Sequence, residues 1–259
     1  SLYFTELFRP DLTTFQPNRD LELAKARHFV VGYDRNFSGD FHLKLEAYYQ
    51  DLYDIPVSID PTDTYSSLNQ DNAFQRESLV NEGRGRNYGI EITFEKFFSQ
   101  GYFFLTTASV YNSEYKTLSN IWFNTRYNKN YNINLVGGKE YQLGSASKKK
   151  TLNIGLEAVL AGGNRRTEID LPASIIAQET VYFNNRPFAS QLEGYSRFDF
   201  QIALKTNKKG LTHEWKIDIQ NLTSRSNVVG EEFLTRLGAV VPTSFTGEII
   251  PVLSYKLIF

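Results

Sequence analysis

The 259-residue chain carries 28 Lys and Arg against 29 Asp and Glu, a formal net charge of -1, which offers neither a basic footprint for nucleic acid nor an acidic tail. Aromatic residues reach 15% while 22% of residues are charged and mean hydropathy is -0.38, and no apolar run approaches the ~18–20 residues of a membrane helix. Cys is absent, which excludes a disulfide framework and any thiolate metal site.

Alternation with period two predicts about nine strands, near 26–37, 41–55, 86–98, 102–116, 127–142, 151–164, 194–206, 211–223 and 247–259. In the second of these, Phe41, Leu43, Leu45, Ala47 and Tyr49 alternate with His42, Lys44, Glu46, Tyr48 and Gln50. In the third, Tyr88, Ile90, Ile92 and Phe94 oppose Gly89, Glu91, Thr93 and Glu95. Leu152, Ile154, Leu156, Ala158 and Leu160 form a further apolar face against Asn153 and Glu157. Phe198, Phe200, Ile202 and Leu204 alternate with Arg197, Asp199, Gln201 and Lys205. After the turn sequence Asn207-Lys208-Lys209-Gly210, Leu211, His213, Trp215, Ile217 and Ile219 oppose Thr212, Glu214, Lys216, Asp218 and Gln220. Many of these strands exceed the ~9–11 residues that a tilted strand needs to cross a bilayer.

The connections alternate strictly in length. Short ones fall at Ser38-Gly39-Asp40, Ser99-Gln100-Gly101, 144–150 and 207–210; long ones fall at 56–85, 117–126, 165–193 and 224–246. In an up-and-down sheet this sorts every short turn to one end and every long loop to the other, the pattern of short periplasmic turns and longer extracellular loops in outer-membrane barrels. Alternation alone leaves open which face points inward. A soluble sandwich is the alternative, but it has no reason to sort its loops. An uncovered Phe, Ile, Leu and Tyr face on this scale also demands lipid or protein against it.

The chain closes on Leu253, Tyr255, Leu257 and Phe259, one face of an alternating strand ending on an aromatic residue. This resembles the C-terminal signal read by the outer-membrane assembly machinery. Further matches follow in order: Arg27-His28-Phe29-Val30-Val31-Gly32-Tyr33-Asp34 with Lys44-Leu45-Glu46-Ala47-Tyr48-Tyr49-Gln50, Gly85-Arg86-Asn87-Tyr88-Gly89-Ile90-Glu91 with Lys96-Phe97-Phe98, and Asp218-Ile219-Gln220-Asn221-Leu222-Thr223. Their order and spacing resemble the late strands of TonB-dependent receptors over nearly the whole chain. The resemblance implies an all-β, antiparallel, up-and-down transmembrane barrel of 22 strands in the cell outer membrane, of which residues 1–259 supply about nine C-terminal strands. It implies energy-dependent uptake of a scarce, bulky nutrient: an iron chelate, cobalamin, an oligosaccharide or a peptide. The chain departs from the family in lacking the plug, the TonB-contacting motif and the earlier strands. With neither an export signal nor a Met, it reads as a mature, cut or partial chain. The expected partners are the N-terminal plug and barrel portion, the TonB complex through that portion, membrane lipid and lipopolysaccharide, the assembly machinery and a surface lipoprotein, with no nucleic acid. The alternatives are a structural or adhesive barrel and a passive diffusion porin.

Candidate chemistry is sparse, and the expectation is a protein that is not an enzyme and holds no cofactor. His28, His42 and His213 are too dispersed for a sequence-local metal motif, and no Ser–His hydrolase set is evident. Gly162-Gly163-Asn164-Arg165-Arg166 lacks the strand-to-helix context of a phosphate loop and reads as a strand end, its arginines available to lipopolysaccharide phosphates or an anionic substrate. Aromatic and Arg side chains collect in the long loops: Tyr65 and Phe74; Trp122, Phe123 and Arg126; Tyr182, Phe183, Arg186 and Phe188; Phe233 and Arg236. Stacking and guanidinium contacts suit sugar or chelate capture, while mutual loop packing or a place in the interfacial girdle is the structural alternative. The charges Arg197, Asp199, Glu214, Lys216 and Asp218 are expected on the lumen and plug side, with Asp199 pairing Lys216 across neighbouring strands.

Overall fold

A computed structural model describes residues 6–8, 10–11, 13–70, 77–144, 150–208, 210–245 and 247–259. Nine long antiparallel strands follow one another as a meander: β1 (Lys25–Phe37), β2 (Phe41–Ser58), β3 (Leu79–Ser99), β4 (Tyr102–Lys116), β5 (Tyr131–Leu143), β6 (Lys150–Ala161), β7 (Tyr195–Lys208), β8 (Leu211–Gln220) and β9 (Ile250–Ile258). Each pairs with its sequence neighbours, and among the described residues β1 and β9 are edges. The short strand Trp122–Asn124 adds to β4. No helix among the described residues is long and apolar enough to cross a membrane, which leaves open crossing by strands.

The strand boundaries differ from the sequence expectation where the backbone turns sharply. β3 begins at Leu79 because β2 continues to Ser58 through a bulge at Asp54 (φ 57°). Residues 127–130 leave the sheet, with Asn128 fully buried and Asn130 at φ 70°. β8 stops at Gln220 because Asn221 takes φ 52°.

Pairing register assigns every strand residue to a face. Tyr33, Leu45, Ile92, Ala108, Ile133 and Leu160 form one cross-strand row. One residue along, the row on the opposite face reads Asp34, Lys44, Thr93, Thr107, Asn134, Val159 and Arg197. The grooves of the sheet open on this polar face, beside Glu46 and Glu91 in one place and Arg197 and Asp199 in another. These two grooves thus lie on the charged side, and Ile90 (63% exposed), Val110 (66%) and Leu253 (69%) stand on the other.

The short turns step along the strands. Phe41, at the close of the first hairpin, shares a row with Lys96, Phe104, Gly137, Leu156 and Phe200, yet the last hairpin closes at Lys208, eight residues beyond Phe200. Over six strand spacings of about 4.8 Å, with about 3.3 Å per residue, the strands lean roughly 43° from the normal to the line of turns.

Burial concentrates at the other end. Ile55, Val57, Leu79 and Tyr115 are nearly inaccessible where β2, β3 and β4 meet the long loops, whereas the mid-sheet apolar residues have no layer upon them. The total accessible area, 16498 Å², is about 40% above the roughly 11,600 Å² expected of a compact monomer of this mass.

Two asparagines fasten the segment before β1 to this end. Asn18, 1% exposed, donates through Nδ2 to the Glu77 carbonyl (2.8 Å) and accepts from the Leu79 N–H (2.8 Å), imitating a strand partner. Asn81 Oδ1 accepts from the Glu22 N–H, and its Nδ2 donates to the Glu22 and Asp54 carbonyls. Asn18→Ala leaves two backbone groups unpaired, an expected loss of about 1–3 kcal/mol. Limited proteolysis should then cut residues 13–24 faster while β3 stays intact; unchanged protection there contradicts this assignment.

Candidate functional site

On the polar face the ion pairs run along strands as well as across them. Arg197 holds Asp199 through two bonds, Nε to Oδ1 at 2.9 Å and Nη2 to Oδ2 at 2.6 Å, and Asp199 also accepts from the Asn221 N–H. Lys216 pairs with Asp218 at 2.7 Å, two residues along β8, and Lys205 meets its cross-strand partner Glu214 at 3.3 Å. The expected Asp199–Lys216 pair is replaced because register sets Lys216 opposite Ala203 and Asp218 opposite Gln201. Arg197, Asp199, Lys216 and Asp218 border a groove of about 460 Å³ whose lining includes the opposed glycines Gly138 and Gly155.

The long loops form a cross-braced layer. Thr64 donates to the Asn184 carbonyl, the Tyr115 hydroxyl to the Thr64 carbonyl (3.0 Å), and Arg126 to the Asn69 side chain and carbonyl. Gly162 and Gly163 run so close to other backbone that an added Cβ would stand 1.6 Å from the Lys129 oxygen and 2.0 Å from the Leu192 oxygen. Arg165, rather than reaching outward, donates to the Asn128 carbonyl, Asn130 Oδ1 and the Ala189 carbonyl. Arg166 pairs with Glu231 of the hairpin Val228–Leu234 and Ala239–Ser244, which the neighbouring Asn164 also grips through the Val229 carbonyl. Both arginines therefore tie loop to loop.

The loop residues singled out by composition separate accordingly. Tyr65 and Phe188 line one cleft of about 300 Å³ between the first and third long loops. Trp122 lies beneath the Arg86 guanidinium (4.2 Å) with the Lys116 ammonium 5.4 Å from its ring, and Phe123 packs at 5.7 Å on buried Tyr115. Phe183 is covered by Arg186 at 5.4 Å, which also meets Glu168, and Tyr182 stays exposed. Phe233 is buried. Phe74 lies outside the described residues.

At the short-turn end, His42 bridges three strands, Nδ1 to Glu95 at 2.7 Å and Nε2 to Asp34 at 2.9 Å. His213 meets the Tyr255 hydroxyl at 2.8 Å, and Trp215 packs on the Tyr255 ring at 4.5 Å, both on the apolar face. Leu253, Tyr255 and Leu257 share that face of β9, and Phe259 follows it 92% exposed. Among the described residues no His, Asp and Glu cluster is arranged to hold a metal ion. No family model, curated protein or solved structure matches the chain.

Sequence reasoning missed two loop elements that carried signals. The helix α1 (Leu171–Ala177) has Asp170 as N-cap and Pro172 in its first turn. The late hairpin turns on Gly238 at φ 60°.

Gly162→Ala and Gly163→Ala should each cost at least about 2 kcal/mol, because backbone must move. Gly230→Ala, with only the Thr243 Cβ at 3.9 Å, should stay within about 0.5 kcal/mol. Thermal unfolding separates these outcomes. In the first loop, the Thr62 N–H and hydroxyl (2.8 Å each) hold the Asp60 carboxyl below its ordinary value. The unfolded chain thus binds the proton more readily, so the turn's contribution is present at neutral pH and lost as pH falls through the lowered value. A carboxyl NMR titration midpoint at or above the ordinary aspartate value refutes this.

Proposed function

We propose that the chain forms the later part of the barrel wall of a TonB-dependent receptor, which takes up a scarce, bulky nutrient across the outer membrane of a Gram-negative cell. The observation that carries this reading is the two-faced meander: among the described residues its apolar face has no cover, and two grooves open on its charged face. A soluble barrel has the reverse polarity. The roughly 43° lean of the strands falls in the range of outer-membrane barrels, and a strand of 12 residues such as β6 then rises about 29 Å, enough for the apolar band. The Trp215, Tyr255 and His213 cluster sits near the short turns, where an aromatic girdle belongs.

In this reading β1 and β9 pair with earlier strands of the 22-stranded wall, since open edges in lipid leave backbone groups unsatisfied. The polar face meets the plug, the TonB complex acts through that plug, and the C-terminal Leu253, Tyr255, Leu257 and Phe259 present the assembly signal. The braced loop layer faces outward, where Tyr65 and Phe188 are the ligand contacts of choice. Trp122, Phe123, Arg126 and Arg186 chiefly hold the loops in place.

Leu253→Arg and Ser254→Arg differ by one residue and by face. Leu253→Arg should destabilise the barrel by about 2–4 kcal/mol if it lies near the bilayer mid-plane, and Ser254→Arg by far less. Heat-shifted electrophoretic mobility of the outer-membrane fraction reads the difference. Equal tolerance of both, or full-length protein found only in the soluble fraction, sinks the membrane reading. Uptake that survives collapse of the proton gradient removes the energy-coupled part and favours a diffusion pore.

A further inference from the structure

A second groove on the polar face, about 550 Å³, is lined by residues of β1 to β4, among them Tyr48, Asn87, Glu91 and Tyr111, and by Tyr127. Gly89 stands directly between Tyr48 and Tyr111, its partners on either side. A Cβ there would come within 2.6 Å of the Val110 carbonyl oxygen and 2.8 Å of the Tyr111 Cβ, so no side chain fits. Two tyrosines about 9.6 Å apart, two strand spacings, thus flank bare backbone. Toward the loops, Asn87 Nδ2 donates to Gln50 Oε1 at 3.0 Å. Toward the short turns, Glu46 and Glu91 face each other across the ladder, with Lys44 on Glu46 at 2.7 Å. Among the described residues neither the Tyr48 hydroxyl nor the Glu91 carboxylate makes a hydrogen bond.

We propose that this groove is a saccharide subsite that holds an uncharged pyranose ring between Tyr48 and Tyr111. The inference rests on the uptake reading and narrows its substrate to a neutral oligosaccharide. A sugar ring offers C–H faces to aromatic rings and a rim of hydroxyls to planar amides and carboxylates, and the groove supplies both in one place. An anionic chelate would meet two carboxylates, Glu46 and Glu91, against the single cation Lys44, which is already engaged by both. An apolar ligand would strip water from Asn87, Gln50 and Glu91 and return no hydrogen bonds.

The test is calorimetric titration of the full-length receptor in detergent with maltohexaose, cellohexaose and chitohexaose, with ferric citrate and a lysine-rich hexapeptide as contrasts. At least one hexasaccharide binds, Tyr48→Ala and Tyr111→Ala each weaken it by about tenfold or more, and Tyr48→Phe keeps it within about threefold. Tyr48→Leu gives the same reading where the alanine variant fails to assemble. Binding of none of the three sugars, or sugar binding indifferent to both tyrosines, overturns the proposal. So does binding of the peptide or ferric citrate that these substitutions abolish. Membrane fractionation keeps the two readings apart: a correctly inserted receptor that ignores the sugars refutes only the saccharide site, whereas absence from the outer membrane refutes the uptake reading beneath it.

Discussion

The constraint on which the rest of this structure depends is the strict division of each strand into an apolar and a charged face, in a sheet whose every strand pairs with its sequence neighbours. In such a meander one face becomes a continuous apolar surface. A second sheet or a layer of helices would normally bury it. Here no such layer is present among the described residues, and the accessible area exceeds that of a compact protein by about 40%. Nothing among the described residues covers that face; in the uptake reading proposed above, lipid does.

With the middle of the sheet unburied, its tertiary order is carried by the loop end. Ile55, Val57 and Tyr115 are packed there, and asparagine side chains replace strand partners where the ladder has ended. Asn128, fully buried, donates to both Asn112 and Asn124. Such groups are costly to leave unpaired, so the loops have few alternative arrangements once they meet. Arg165 and Arg166 take part in the same bracing, bonding neighbouring loops instead of pointing outward.

The charged face has a comparable economy. Arg197 with Asp199 and Lys216 with Asp218 neutralise one another along their own strands, which keeps formal charge on the face while limiting the field it projects. Glu91 lies outside that scheme. Its carboxylate, set beside two tyrosines, differs chemically from the paired ladder.

Nine strands, the alternation of short turns with long loops and the two faces were legible in the sequence, because period-two alternation and turn residues are local properties of the chain. Phe41 to Tyr49 and Leu211 to Gln220 carry their facing in their own spacing. The pairing register is not local. A ladder read from single strands paired Asp199 with Lys216, and only the observed register put Ala203 opposite Lys216 and Gln201 opposite Asp218. The same holds for Arg165 and Arg166, whose partners lie 24 to 65 residues away, and for Tyr48 and Tyr111, which flank Gly89 only through the pairing of β2, β3 and β4. The sequence by itself determined which side of each strand is apolar, since that depends only on residue parity. Tertiary structure alone decided how far the strands lean and which side chains share a groove, since these depend on cross-strand hydrogen bonds between residues far apart in the chain.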